Sequence, residues 1–245
     1  MLPLPLLLWA PVATAPGMLP AREVLRYNVE WRLVTAGKAR LEWNAAPRHS
    51  AAGWQADLHL ESAGLVSKLF KVNNDYISNL ESDLCASGSY LKAAEGNRHK
   101  ETRVTFNGEA RKAEYLEKDL DNNTVVNAHE IDIPQCVHDV LGGLYMLRTL
   151  NLQPGQSTQV AISDGKKSVM ARVQAQQREE VRTPAGVFKT IRYEAFLFND
   201  VLYRRYGSLH VWLTDDARKL PVQIRVRLQL AIGTITLQLE KEEKT

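Results

Sequence analysis

Cysteine is almost missing from this chain. The two cysteines, Cys85 and Cys136, form no Cys-x-x-Cys pair and cannot by themselves supply the four ligands of a structural zinc site. Paired with each other, they would close a loop of about 50 residues, which the chain-entropy model equates with roughly 4 kcal/mol of stabilisation. The alternative is two separate buried thiols. We favour a disulfide because the N-terminus indicates export.

An excess of one charge is also lacking. The 31 basic residues are interspersed with 28 acidic ones, and the net charge is only +3. No basic stripe indicates a nucleic-acid partner. No apolar run reaches the ~20 residues that a transmembrane helix needs. We therefore predict that the chain binds no nucleic acid and is not an integral membrane protein.

No charged residue precedes Arg22. The first ten residues are apolar, and Ala13–Ala15 supplies a small-x-small cleavage pattern, as in a secretory signal peptide. Residues 1–20 are thus predicted to be a signal peptide or apolar leader, and the protein to be periplasmic or secreted. The missing basic n-region and Pro16, directly after the best cleavage position, leave a disordered apolar tail as the alternative.

The dominant pattern that is present is period-two alternation of apolar and polar side chains. It predicts a hairpin over residues 23–44, with its turn at Gly37. Asp164-Gly165 and Thr183–Gly186 have the composition of further turns between strands. We expect one antiparallel β domain over residues 22–240, followed by a charged tail at 241–245.

One segment departs from this alternation. From Val137 to Leu150 the apolar residues recur at helical spacing. Asp139 is expected in the first helical turn, where its charge suits the helix dipole. Gly142 and Gly143 are expected where the helix packs closely against a sheet, because glycine is unfavourable in an exposed helix. A disulfide from Cys136 would fasten this helix to the first half of the sheet.

These elements together predict an all-β fold. The strands follow one another as hairpins, with too few helices for parallel crossovers. A flat sheet of about a dozen strands would expose two long edges. We therefore expect a strongly curved antiparallel sheet or barrel of about a dozen strands, with one short covering helix.

Two fragments resemble metal sites, but each lacks a residue that the site requires. His129-Glu130 begins a zinc-protease pattern, but Ile133 occupies the position of the second histidine. The carboxylate and amide spacing of a calcium loop recurs from Asp119 to Glu130 through Asp121 and Asn123. Its sixth position is Thr124 rather than glycine, so a polar hairpin loop is the better interpretation. No metal is predicted.

Two pairs of adjacent residues resemble catalytic groups. His138-Asp139 lacks a nucleophile elbow, and adjacent helical residues do not face each other. Asp215-Asp216 is better explained as turn residues. No glycine-rich phosphate loop follows a strand. The sequence therefore predicts no enzyme, no catalytic residue and no cofactor.

Large aromatic side chains provide the one indication of a ligand. They could line an apolar cavity for a lipid or another apolar small molecule, or they could fill the core of a curved sheet. Core packing is the simpler interpretation, and both remain open. The cavity candidates are Tyr27, Trp31, Trp43, Trp54 and Trp212.

Several stretches, taken in order, resemble a bacterial exported family known as domain of unknown function 3108. They are Glu23–Trp31, Ala36–Ala39, Asp139–Arg148, Thr183–Phe188, Val211–Asp216 and Leu220–Val222. The resemblance implies a secreted or periplasmic β protein and carries over no activity, cofactor or catalytic residue. The Trp212 hairpin that leads into Leu220-Pro221 is also similar to the periplasmic lipoprotein-carrier fold, a half-barrel with an apolar concave face.

Two functional hypotheses follow. The first is a non-catalytic periplasmic protein that binds a lipid or other apolar ligand in envelope maintenance. The second is a structural or interaction module that presents a sheet edge or polar face to another envelope protein.

Overall fold

The computed structural model describes residues 19–45, 53–229 and 233–243. Nearly all of the predicted leader, residues 1–18, lies outside this part of the chain, as do residues 244 and 245 of the predicted tail. Residues 241–243 belong to the last strand rather than to a separate tail.

Fourteen strands and two helices follow one another in the described residues. Their bounds are β1 Arg22–Trp31, β2 Val34–Ala45, β3 Gly53–Ser62, α1 Gly64–Leu69, β4 Val72–Glu81, β5 Ala86–Glu95, β6 Arg98–Asn107, β7 Lys112–Asp119, β8 Thr124–Asp132, α2 Val140–Thr149, β9 Ser157–Ser163, β10 Ser168–Thr183, β11 Gly186–Ala195, β12 Gly207–Thr214, β13 Pro221–Leu228 and β14 Gly233–Glu243.

All fourteen strands belong to one antiparallel sheet. Its order is β8-β7-β6-β5-β4-β3-β2-β1-β14-β13-β12-β11-β10-β9. Each half of the chain is therefore a sequential meander, and the two halves join where β1 pairs with β14. The predicted antiparallel β fold is confirmed, and the two edge strands, β8 and β9, flank α2 in the sequence.

The predicted turn at Gly37 is wrong. The chain reverses at Arg32 and Leu33, which both adopt positive φ (49° and 70°), and Gly37 lies inside β2. A side chain on Gly37 would overlap the carbonyl oxygen of Glu61 on the neighbouring strand, so glycine is required there by close backbone approach. The other two predicted turns, at Asp164-Gly165 and Thr183–Gly186, do join successive strands.

The sheet is strongly curved without closing into a barrel. Its curvature brings the β9–β10 turn onto the inner face of β6 and β7 at the other end of the strand order. A Cβ on Gly165 would lie 2.6 Å from a methyl of Val104 and 2.9 Å from the Tyr115 ring. The next residue, Lys166, forms an ion pair with Glu117 of β7 at 3.1 Å. Curvature thus brings residues near the two ends of the strand order into contact.

Helix α2 begins later than predicted. Residues 137–139 are extended, and His138 forms a short parallel bridge with Ile162 of β9. Asp139 is the N-cap rather than a first-turn residue, and its carboxylate accepts a hydrogen bond from the Gly142 amide at 2.6 Å. The close packing expected at the glycines is confirmed, since a Cβ on Gly142 would lie 2.8 Å from Leu80 of β4.

A disulfide joins Cys85 to Cys136, as predicted, with a Cα–Cα distance of 5.1 Å. Next to it, the Ala86 amide donates to the Val137 carbonyl at 2.7 Å. The segment before α2 is thereby fastened to β5 on one side and, through His138, to β9 on the other. The disulfide therefore holds the helix inside the curved sheet.

Helix α2 divides the interior into two apolar clusters. One contains residues of β1–β7, β10 and β12–β14 with Leu141 and Tyr145, and the other contains residues of β9–β12 with Leu147. The other helix, α1, was not predicted and has no buried residue. Neither helix of the described chain combines the length and apolar character needed to cross a membrane.

Candidate functional site

Burial of the inner face of the sheet changes along the strands. On β12, Leu213 and Val211 are buried and Leu209 is partly exposed. On β14, Leu239 is buried, whereas Leu237 and Ile235 are partly exposed. In both strands the exposure of these side chains increases toward the same end of the sheet. We call it the open end, defined by the β1–β2 turn at residues 32–33, α1 and the β11–β12 loop at residues 196–206.

A row of apolar residues crosses the sheet at the open end. Trp31 pairs with Ile235, Ile235 with Val226, and Val226 with Leu209, so the register places all four on one face. All four are only partly buried. Ile235 and Leu209 also pack against the two interior clusters, which identifies this face as the inner one. We call these four residues the apolar row.

Helix α2 supplies further partly exposed apolar groups. Leu144 and Met146 pack against both interior clusters without being fully buried. The C-terminal turn of the same helix is fully enclosed, since Leu147 and Arg148 are buried. The helix therefore fills one end of the interior and leaves the inner face less covered at the open end.

Three of the five predicted cavity candidates, Tyr27, Trp43 and Trp212, are buried in one core cluster, and Trp54 packs against it. Trp43 is fully buried and stacks on Trp54 at 5.0 Å and on Tyr145 at 4.0 Å, between ring centroids. Its indole nitrogen donates to the Pro20 carbonyl at 2.9 Å. Tyr27 is also fully buried, and its hydroxyl donates to a backbone carbonyl at 2.8 Å. These residues belong to the packed core around α2.

Trp31 and Trp212 have different surroundings from these residues. Trp31 belongs to the apolar row at the open end. Trp212 is 4% exposed and belongs to the same buried cluster as Trp43, whereas its neighbours Val211 and Leu213 belong to the other cluster. The Trp212 indole nitrogen donates to Glu179 at 2.8 Å, and Arg225 lies over its ring. The role of these aromatics as a cavity lining stays a prediction.

The residues weighed as catalytic pairs have separate partners. His138 donates through Nδ1 to the Leu84 carbonyl at 2.7 Å. The Asp139 carboxylate accepts hydrogen bonds from Tyr76 at 2.9 Å and from Ser78 at 2.8 Å. Burial raises the pKa of Asp139, although its three hydrogen bonds oppose the shift. These contacts join the helix N-terminus to β4.

The remaining acidic fragments are explained by local structure. Asp216 accepts hydrogen bonds from two turn amides, and Asp215 pairs with Arg178 at 2.7 Å. In the loop with calcium-like spacing, Asp121 pairs with His99 at 2.6 Å, whereas Glu130 lies well along β8 and pairs with Lys112. The carboxylates of that loop are therefore held in separate pairs.

The described residues contain one group of three potential metal ligands that lie close together. It consists of Asp83, Cys85 and Cys136. Both sulfur atoms are engaged in the disulfide, so the group has no thiolate to offer a metal.

A buried ion pair that the sequence did not indicate joins α2 to β1. The guanidinium of Arg148 contacts the Glu23 carboxylate through two hydrogen bonds, at 2.6 and 2.9 Å, and both side chains are almost completely buried. A cleft of about 160 Å³ adjoins the pair, with Arg22, Arg218 and Glu242 among its lining residues. Because 125 residues separate the partners, local patterning gives no indication of them.

A second polar cluster lies on the inner face of β6 and β7. The Glu117 carboxylate accepts hydrogen bonds from Lys100, from Lys166 at 3.1 Å and from the Tyr115 hydroxyl at 2.5 Å. Burial alone would raise the pKa of Glu117, but these three donors outweigh it and hold the pKa at about 2. The cluster fastens the β9–β10 turn across the sheet.

The low pKa of Glu117 predicts a pH-dependent contribution to stability. A carboxyl whose pKa falls on folding stabilises the fold above its unfolded value of 4.5 and loses that contribution as the pH drops toward 2. We expect Glu117→Gln to lower the free energy of unfolding by about 2 kcal/mol at neutral pH, after allowance for solvent screening of the two half-exposed lysines. Urea unfolding between neutral pH and acid should show the difference shrinking as the pH falls.

The matched control is Glu130→Gln, which removes a carboxylate from an exposed pair with Lys112. This variant should differ from the wild type by less than ~1 kcal/mol. Equal losses in the two variants at neutral pH would contradict the argument for Glu117.

Comparison with known proteins assigns the chain to a family. The family model described as "Protein of unknown function (DUF3108)" matches residues 26–240. The chain belongs to the DUF3108 family. The resemblance noted in the sequence is thus confirmed over nearly the whole described sheet. A search of curated proteins found no match to this chain.

One of two similar solved structures shares the fold of this DUF3108 chain. A beta-barrel-like protein of domain of unknown function DUF1849 from Brucella abortus aligns with a TM-score of 0.55 and 8% identity, over 91% of this chain and 97% of that one. A "putative lipoprotein" from Parabacteroides distasonis aligns with a TM-score of 0.34 and 9% identity, over 92% and 98%. The first likeness shows the fold alone, and the second supports no conclusion.

Proposed function

We propose that this DUF3108 chain is a non-catalytic, exported cell-envelope protein that holds an acyl chain of a lipid against its inner face at the open end. The observation that carries the proposal is the gradient of burial on that face. Apolar side chains that would be covered in a packed core remain partly exposed where the sheet opens. Such a concave apolar surface is typical of sites for apolar small molecules.

The position of α2 supports a ligand that enters from one end. The helix and the stacked Trp43 and Tyr145 occupy the far part of the interior. Leu144 and Met146 of the same helix stay partly exposed and pack against both interior clusters. Methionine adapts its shape to irregular apolar partners, and a flexible hydrocarbon chain is such a partner.

The disulfide supports the location. Disulfides persist in oxidising compartments outside the cytoplasm and are rare inside it. A bond that links Cys85 to Cys136 and holds the central helix suits the periplasm or the exterior of a cell. A periplasmic or secreted location follows from this proposal together with the predicted leader.

The proposal is tested by the binding of a fluorescent polyene fatty acid. In Leu209→Gln/Ile235→Gln, two members of the apolar row become polar, and binding should weaken about tenfold or more because apolar contact with the chain is lost. The control, Ser208→Gln/Thr234→Gln, changes the adjacent residue on each of the same strands, whose side chain points to the other face. It should bind within about twofold of the wild type.

Lipid extraction from the purified protein, followed by mass spectrometry, supplies a second readout. Fatty acid binding that is equal in the two double variants would contradict the proposal. Thermal unfolding of both variants establishes that any loss of binding comes from a folded protein.

One observation favours the second candidate function, an interaction module. The edge strand β8 pairs only with β7 among the described residues, and Val125 and Val126 on it are exposed. A free strand edge can pair with a strand of another protein. Recovery of one envelope protein by the lipid-free chain, lost on Val126→Pro, would favour this function over lipid binding.

A further inference from the structure

Large apolar side chains are exposed together at the rim of the open end. Half of the ten large apolar residues that are exposed in the described chain lie in two short segments. We call them the rim patch. Its members, with their exposed fractions, are Leu33 (92%), Val34 (57%), Leu65 (74%), Leu69 (83%) and Phe70 (52%).

The two segments form one surface. The Ala63 amide, directly before α1, donates to the Ala36 carbonyl of β2 at 2.8 Å, which fixes the helix beside the β1–β2 turn. Phe70 follows the helix and lies over the next turn along the rim, where a Cβ on Gly96 would be 3.1 Å from its ring. The Gly96 amide also donates to the Lys71 carbonyl at 2.8 Å. The patch therefore has a fixed backbone.

The backbone of the β1–β2 turn is unusual for its sequence. Two-residue hairpin turns with positive φ at both positions strongly favour asparagine and glycine. Here the positions hold Arg32 and Leu33, and the Leu33 side chain is almost completely exposed. A sequence that departs from local preference without gaining core packing is expected at a functional position.

The two chain segments that carry the rim patch contain basic residues and no acidic ones. Residues 31–41 and 62–74 contain no aspartate or glutamate. Lys68 lies in the last turn of α1, Lys71 follows it, and Arg98 begins β6 at the neighbouring turn. Within the described part of the chain these three cations have no ion-pair partner closer than 4.0 Å. Their charge is available to an anionic partner.

We infer that the rim patch docks on a lipid bilayer that carries anionic headgroups. Protruding leucine and phenylalanine side chains flanked by lysine suit the boundary between headgroups and acyl chains, where apolar groups insert and cations remain among the phosphates. Leu33 and Leu69 are the most exposed members of the patch, so both side chains can insert into a fluid surface. The inference stands on these observations independently of ligand binding. Where lipid binding also holds, docking places the apolar row at the membrane.

The test is flotation of the full chain with vesicles. We expect binding to phosphatidylcholine vesicles that contain about a third phosphatidylglycerol, and binding at least about tenfold weaker to phosphatidylcholine alone. Leu33→Ser/Leu69→Ser should weaken binding to the anionic vesicles about tenfold or more. Lys68→Gln/Lys71→Gln should remove most of the preference for anionic vesicles and its sensitivity to salt.

The matched control is Met170→Ser/Val187→Ser, which removes two exposed apolar side chains outside the rim patch. It should bind vesicles like the wild type. The inference would be overturned if the wild type floated with neither vesicle type. It would also be overturned if the two double serine variants lost vesicle binding equally. A wild-type dimer that Leu33→Ser/Leu69→Ser converts to a monomer, without a change in vesicle binding, would instead assign the patch to self-association.

The fatty acid assay separates this inference from the proposed function. Leu33→Ser/Leu69→Ser should retain fatty acid binding, because neither residue belongs to the apolar row. Vesicle binding without fatty acid binding would leave membrane docking standing and remove the lipid-holding function.

Discussion

Arg148→Met is expected to lower the free energy of unfolding by about 3–5 kcal/mol, because it leaves Glu23 buried without its cation. In the native fold the two side chains are 1% and 3% exposed and share two hydrogen bonds. Removal of the guanidinium also takes a cation from the face of Tyr145, 5.1 Å away. Denaturant unfolding at neutral pH, followed by tryptophan fluorescence and circular dichroism, measures the loss.

The double variant Glu23→Leu/Arg148→Met distinguishes a lost charge partner from lost packing. Two apolar side chains of similar volume need no solvation, so the double variant should recover most of the stability that the single variant loses. The control is Arg218→Met, which breaks an exposed pair with Glu242 at the same cleft and should cost less than ~1 kcal/mol. A loss below ~1 kcal/mol for Arg148→Met would refute the expectation.

The disulfide is expected to contribute about 4 kcal/mol. Cys85→Ala/Cys136→Ala opens a loop that spans 51 positions of the sequence and so restores chain entropy to the unfolded state. The neighbouring hydrogen bond from Ala86 to Val137 remains, so the native fold should persist with a lower unfolding midpoint.

Reduced wild type is the natural comparison for that variant. Unfolding with and without dithiothreitol should move the wild type to the stability of the double alanine variant and leave the variant unchanged. A difference below ~1 kcal/mol between oxidised and reduced wild type would show that the loop is already constrained by other contacts.

The sequence was most informative where apolar alternation was uninterrupted. The alternation is clear in β1, β12 and β14, and the hairpin pattern predicted the antiparallel order of neighbouring strands. It missed β5, whose residues Ala86–Glu95 are mostly small or polar and lack the β-branched side chains that indicate a strand. It also missed α1, since a helix of six residues is too short for periodicity to show.

The turn at residues 32–33 illustrates a different limit. Composition favoured Gly37 as the turn, because glycine commonly occupies positive φ. Only the contact with Glu61 on β3 explains why glycine is needed inside β2. The requirement arises from the approach of two backbones that are distant in sequence, and such contacts have no local signature.

Of the residues predicted to line a cavity, only Trp31 belongs to the apolar row. Continuous apolar faces indicated an inner surface, and the row Trp31, Val226, Leu209 and Ile235 is part of it. The large aromatic Trp43, in contrast, fills the core beside α2. Which apolar residues remain partly exposed depends on how far the helix extends into the interior. That depth is set by the disulfide and the pair with Glu23, which sequence patterning does not locate.

The pairing of β1 with β14 at the centre of the sheet has a consequence for biosynthesis. The first meander can form as soon as its strands are made, but β1 gains its second neighbour only after residues 233–243 have been synthesised. A ribosome therefore releases almost all of this polypeptide before the native sheet can be completed. If the chain is exported as proposed, it reaches a secretion channel that accepts only extended chains before its sheet can be complete.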